Sequence, residues 1–191
     1  MAMVLTSGPA IEPITIEEAK AHLRIDGTSE DALIASLILT SRLHIEAALD
    51  LALVDQSWTL LLDRVPRSGI VKVPISPLQS IDSIATIDRE GLSTVVATET
   101  YTVDVASRPA RIAFDAERVP SSNARLNGIE ITLTAGYGAT AAEVPDPIRQ
   151  ALLLLVAHWY EHRDPIEIGV PSTAIPQSVN RLLHPYRQVR L

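Results

Sequence analysis

The feature that most constrains this chain is the run from Val144 to Asp164, Val144-Pro-Asp-Pro-Ile-Arg-Gln-Ala-Leu-Leu-Leu-Leu-Val-Ala-His-Trp-Tyr-Glu-His-Arg-Asp164, its most apolar helical stretch. Asp146 is placed to accept the free N–H groups of a first turn, and Pro147 stands where a missing N–H does no harm. Ile148, Leu152, Leu155, Val156 and Trp159 recur at three- and four-residue spacing, and Ala151, Leu153, Leu154 and Ala157 widen that face to most of the circumference. A helix apolar nearly all round is buried on several sides. His162, Arg163 and Pro165 close the run: cations at the negative end of the helix dipole, then a residue that cannot continue the helix. The remainder of the chain has to cover this rod.

It has the material to do so. A chain of 191 residues, 47% of them apolar, fits one domain of ordinary size or a domain with an inserted lobe. The sequence has no cysteine, which removes disulfides, thiol catalysis and Cys-based zinc sites together. Met1 to Pro9 shows neither a basic leader nor an apolar run of signal-peptide length, so a protein made and kept in a cytoplasm is expected. The longest uninterrupted apolar run, Ala151 to Ala157, falls short of the roughly 20 residues that span a bilayer, and no membrane span is expected. A net charge of −7 argues against gripping nucleic acid through its phosphates. From Ile175 onward there are three arginines (Arg181, Arg187, Arg190) and no acid, so this segment carries +3 and residues 1–174 carry −10. An acidic body with a basic tail suggests that the tail meets another molecule.

Residues 1–13 show no helical period and read as an extended lead-in. Thr15-Ile-Glu-Glu18 has the spacing of a capping box and predicts a short helix to about Arg24, stopped by Asp26-Gly27. A second start at Thr28-Ser-Glu-Asp31 predicts a long helix to about Leu49. Its apolar face takes Leu33, Ile34, Leu37, Ile38, Leu43 (or the stem of Arg42), Ile45 and Leu49, with Arg42, His44, Glu46 and Asp50 mostly off it. From Gln56 the period becomes two, and strands are predicted at 56–62, 70–73, 81–87, 95–97, 101–105, 111–114 and 129–135, with a hairpin turn at Asp88-Arg-Glu-Gly91. The fold class that follows is α+β. A small helical core is drawn from both chain ends (about 15–50 and 146–163, with Leu37, Ile38, Ile148, Leu152, Leu155 and Trp159 at its centre). Inserted in it is a mostly antiparallel β lobe (about 56–140), and an extended C-terminal tail follows. Residues 1–165 make the main domain; 166–191 form a Pro/Gly-punctuated linker and tail. Around Ser178–His184 two turns of helix are possible but not stable alone in water. Arg181, Leu182, Leu183, Tyr186, Arg187, Arg190 and Leu191 therefore read as a segment that orders on a partner.

The sharpest chemical motif is His158-Trp-Tyr-Glu-His162, formally H-x-x-E-H, in which two histidines one turn apart could hold Zn²⁺ with Glu161 as base. The plainer reading, a buried helix ending in polar residues, is favoured, because short patterns match by chance and fewer than thirty residues follow in which a third ligand could lie. Gly136-Tyr-Gly138 is a lone G-x-G at a strand end, and His22, His44 and His184 lie on separate elements. No catalytic residue, metal or cofactor is expected; a zinc-dependent hydrolase stands as the alternative.

The order of features is more telling than any motif. Glu12-Pro-Ile-Thr-Ile-Glu-Glu-Ala-Lys-Ala-His-Leu-Arg-Ile-Asp26 is followed by Glu30-Asp-Ala-Leu-Ile34, Gln56-Ser-Trp-Thr-Leu60 and Val73-Pro-Ile-Ser-Pro-Leu-Gln-Ser-Ile81. Tyr101-Thr-Val-Asp104, Thr134-Ala-Gly-Tyr-Gly138 and Val144-Pro-Asp-Pro-Ile-Arg-Gln-Ala-Leu-Leu153, ending in Trp-Tyr-Glu-His-Arg163, complete the series. Over about residues 10–165 this resembles the head–tail connector (adaptor) proteins of long-tailed phages and of gene transfer agents. The resemblance implies a structural protein of the particle neck: a homo-oligomeric ring of about a dozen copies under the portal protein. Such a ring continues the channel through which DNA passes without specific binding and offers its far face to a stopper or tail terminator protein. It also implies that the C-terminal segment reaches the portal.

Overall fold

The computed structural model describes residues 1–115, 117–118, 120–162 and 175–187. They fall into two compact units, Met1–Ala10 with Asp50–Ala139 and Ile11–Leu49 with Thr140–Leu191. One is built on antiparallel sheets and the other on helices, an α+β chain as the change of period implies.

In the first unit, strand β1 (Ala2–Ser7) precedes the helices in sequence. The second unit begins with α1 (Ile16–Leu23) and α2 (Asp31–Leu49). The chain then returns to the β unit for β2 (Gln56–Leu62), β3 (Ile70–Lys72), β4 (Leu78–Ile87) and β5 (Ser93–Val95), followed by β6 (Tyr101–Asp104), β7 (Arg111–Phe114) and β8 (Ile129–Ala135). Helices α3 (Asp146–Glu161) and α4 (Gln177–Leu183) complete the helical unit.

The β unit holds a five-stranded sheet in the order β1-β2-β8-β4-β5 and a three-stranded sheet β3-β7-β6, every ladder antiparallel. Strand β8 is central, and its residues alternate strictly: Ile129, Ile131, Leu133 and Ala135 are buried and the residues between them half-buried. That alternation is the two-residue period of a strand placing one face in a core. These residues join Leu60, Leu62 and Ile84 of the same sheet and Val71, Ile112 and Phe114 of the smaller one in a single apolar cluster, so the two sheets share one core. The β4–β5 turn is made as expected by Asp88, whose carboxylate accepts the N–H groups of Glu90 and Leu92 at 3.0 and 2.8 Å, with Gly91 at φ +82°. Strand β1 corrects the reading of the first residues as a mere lead-in: it pairs with β2 from Ala2↔Leu61 to Ser7↔Ser57, and its Thr6 hydroxyl lies 3.0 Å from that of Thr59. Nothing local announces such a strand, because its partners on β2 lie fifty or more residues away.

In the helical unit α1, α2 and α4 each pack on α3, and α1 packs on α2. Ile148, Ala151, Leu152, Leu155 and Val156 of α3 are buried, as are Ile34, Ile38, Ile45 and Leu49 of α2. Leu37 and Trp159 sit at the margin of this core, half-buried, with the Trp159 ring edge-on to His44 at 5.8 Å. Helix α3 is thus covered along one broad face, while Leu153 and Leu154 remain half-exposed. The capping box forms: the Glu18 N–H donates to Thr15 Oγ1 at 3.1 Å and the Thr15 N–H to Glu18 Oε2 at 2.8 Å. Asp146 is not a cap but the first helical residue, preceded by Pro145, which offers no side-chain acceptor. A second box, Thr140 with Glu143, closes the short 3-10 turn just before it.

Arg42 corrects the expected face of α2: it is buried, whereas Leu43 is 50% exposed. Its guanidinium donates to Glu12 (2.8 and 3.2 Å) and to Glu46 (2.9 Å). Burial alone would lower its pKa, but the hydrogen bonds and charges of Glu12 and Glu46 together outweigh burial, so it is raised and the group stays charged. By length and composition α2 could cross a membrane; a third of it is buried inside the protein.

Candidate functional site

The segment singled out by charge is built on α4. Val179 and Leu183, one turn apart, are buried, and they set the helix on α3. Helix α4 thus has a packing surface within its own chain, which two turns alone would lack. Leu183 points inward and is spent on this contact; Leu182 and Tyr186 are half-buried, and Arg181 and Arg187 are exposed. A single 3-10 turn, His184–Tyr186, follows α4, and the Arg187 guanidinium reaches back to Asn180 Oδ1 at 3.1 Å. Gln177, Asn180, Arg181, His184, Pro185 and Arg187 line an open groove of about 510 Å³. Among the described residues its lining carries two guanidiniums and an imidazole and no carboxylate. The sequence reading missed His184 as a member of this face; its i+3 spacing from Arg181 was the available signal. Arg190, Leu191 and the linker 163–174 lie outside the described residues.

The H-x-x-E-H pair is brought together as helix geometry requires, with ring centroids of His158 and His162 4.7 Å apart. The His162 Nδ1 lies 2.8 Å from the His158 carbonyl oxygen, a contact that closes the helix end rather than opening a ligand position. Glu161 is exposed, and among the described residues no group of three His, Asp or Glu side chains is placed to hold a metal ion. The carboxylates at the helix starts serve as ties: Glu18 binds the Arg149 guanidinium, Asp31 takes the Lys20 ammonium at 2.8 Å, and Glu30 accepts from the Tyr160 hydroxyl. Between β6 and β7, Asp104 accepts the Ser107 hydroxyl at 2.6 Å, Arg111 Nε at 3.0 Å and the Ser107 N–H at 3.1 Å; these hold its carboxyl well below the usual range.

Comparisons with known proteins find similar chains in solved particles. Three chains of solved particles match over 100% of this chain and 97% of their own length. Two, from the neck of an empty GTA particle computed with C6 symmetry and from the virion of a native gene transfer agent (GTA) particle, share 26% identity with a TM-score of 0.85. The third, from the neck of a native GTA particle computed with C12 symmetry, shares 25% identity with a TM-score of 0.82. Comparison with curated protein sequences gives no match. The family model described as head completion protein matches residues 12–189, nearly the whole length, and the chain belongs to the head completion protein family.

Proposed function

We propose that this protein is a structural head–tail adaptor of a phage or gene-transfer-agent neck, assembled as a ring of about a dozen copies below the portal, where it extends the DNA channel and receives the next tail protein. The observation that carries this reading is the end-to-end match to chains of GTA necks. Its charge agrees with the role. A body of net −10 repels the phosphates of DNA sliding through a channel, and the cationic groove of Arg181, His184 and Arg187 is suited to docking on an acidic portal surface.

The test is portal binding by the full-length chain carrying Arg181→Glu and Arg187→Glu. Both side chains are exposed, so the melting temperature should stay within a degree or two, while portal affinity falls about tenfold or more through like-charge opposition. Unchanged affinity would remove this segment from the portal contact. These point variants are better than deleting 175–191, because deletion would also strip Val179 and Leu183 from α3.

A further inference from the structure

Helix α2 packs one face on α1 and α3, and its opposite face is unusual for a helix of an acidic protein. Ala32, Ser36, Leu39, Leu43 and Ala47 are all exposed, and their spacing of four, three, four and four residues makes them one straight stripe. Leu39 and Leu43 are 42% and 50% exposed. The stripe holds no Asp, Glu, Lys or Arg, whereas the outer face of a helix that meets only water normally carries charged side chains. The charges that α2 does carry in its middle, Arg42 and Glu46, are turned inward to their own ion pairs.

We infer that this stripe is the centre of the contact between neighbouring copies of the chain in the ring. The inference rests on the ring reading given above and adds the surface that closes it. Copies that each carry −7 repel one another, and a contact through an uncharged stripe adds nothing to that repulsion. Similar chains occur in necks computed with sixfold and twelvefold symmetry, in which copies stand side by side around an axis. Contacts in a cyclic ring of more than two copies are heterologous, so the stripe of one copy meets a different surface of the next. From Ala32 to Ala47 it runs about 24 Å at a helical rise of about 1.5 Å per residue. With a width near 10 Å it gives a few hundred Å² of the roughly 800 Å² that a stable contact buries per partner. It is therefore the apolar centre of a wider patch whose rim is polar.

The test places a photo-crosslinking amino acid at position 43 of the full-length chain, in particles that are then irradiated, and pairs it with the variant Leu39→Glu/Leu43→Glu. The expected product runs at twice the 20.7 kDa of the chain and contains only this chain. The double variant should keep the wild-type circular dichroism spectrum, since both side chains are exposed, yet enter particles at least about tenfold less well, because carboxylates would be driven into an apolar contact. Crosslinks to the portal or another particle protein without chain-to-chain product, or wild-type incorporation of the double variant, would overturn the inference. If particle images still show a ring of this chain, the ring reading survives that result; if they show none, both fall.

Discussion

Arg42 illustrates how much a single position can depend on residues far away in sequence. Helical spacing alone placed either Leu43 or the Arg42 stem on the buried side of α2, and the structure chooses Arg42 because Glu12, thirty residues earlier, waits beside it with Glu46 one turn on. Removing one member of such a set leaves the others unbalanced, so Arg42→Ala should cost about 2–4 kcal/mol in urea unfolding, Glu12 being partly solvated; an unchanged midpoint would contradict this. Gly136 is fixed in another way. At φ +153°, a Cβ there would lie 2.6 Å from the Asp55 backbone, so Gly136→Ala should lower stability by about 1–3 kcal/mol where most surface substitutions do little. For Asp104 the sign follows from its lowered pKa. Its contribution is fully present above the usual carboxylate range near pH 4 and is lost as the pH falls toward the depressed value. Asp104→Asn should therefore flatten the decline in melting temperature between pH 5 and pH 2, and an unaltered acid profile would argue against the Ser107–Arg111 cradle.

At the scale of elements, α3 organises the helical unit as its sequence implies, but one-sidedly. Leu152→Ala should cost about 2–5 kcal/mol, while Leu37→Ala, at the half-buried margin of α2, should cost distinctly less; equal losses would mean that the two are equally enclosed. Most strands from β2 to β8 and the Asp88 turn were legible because alternation and turn chemistry are local signals, and so was the Thr15 capping box; β5 was read two residues late, at 95–97 instead of Ser93–Val95, and β4 begins at Leu78 rather than Ile81. Strand β1 was not legible, since it exists through β2 alone, and neither was the docking of α4, since only the fold brings α3 within reach of Val179 and Leu183. For the same reason the residues proposed for docking were only partly readable. The composition of the tail identified Arg181 and Arg187 as cations without an acidic neighbour, but only the structure turns Leu183 inward and adds His184 to the exposed groove.

For the molecule as a whole, the chain combines an acidic body, a cationic C-terminal face and an uncharged α2 stripe, and the proposed roles give each a different partner: DNA, a portal and a second copy. This division explains how a chain without a catalytic constellation among its described residues can still be specific, since shape and charge suffice for a structural link. The most direct measurement is imaging of purified particles in which this chain carries a label, alongside particles made without it. The expected result is a labelled ring on the axis between head and tail, with loss of packaged DNA and of tail attachment when the chain is missing. Label found elsewhere on the particle, or full particles that join their tails without this chain, would contradict the central claim.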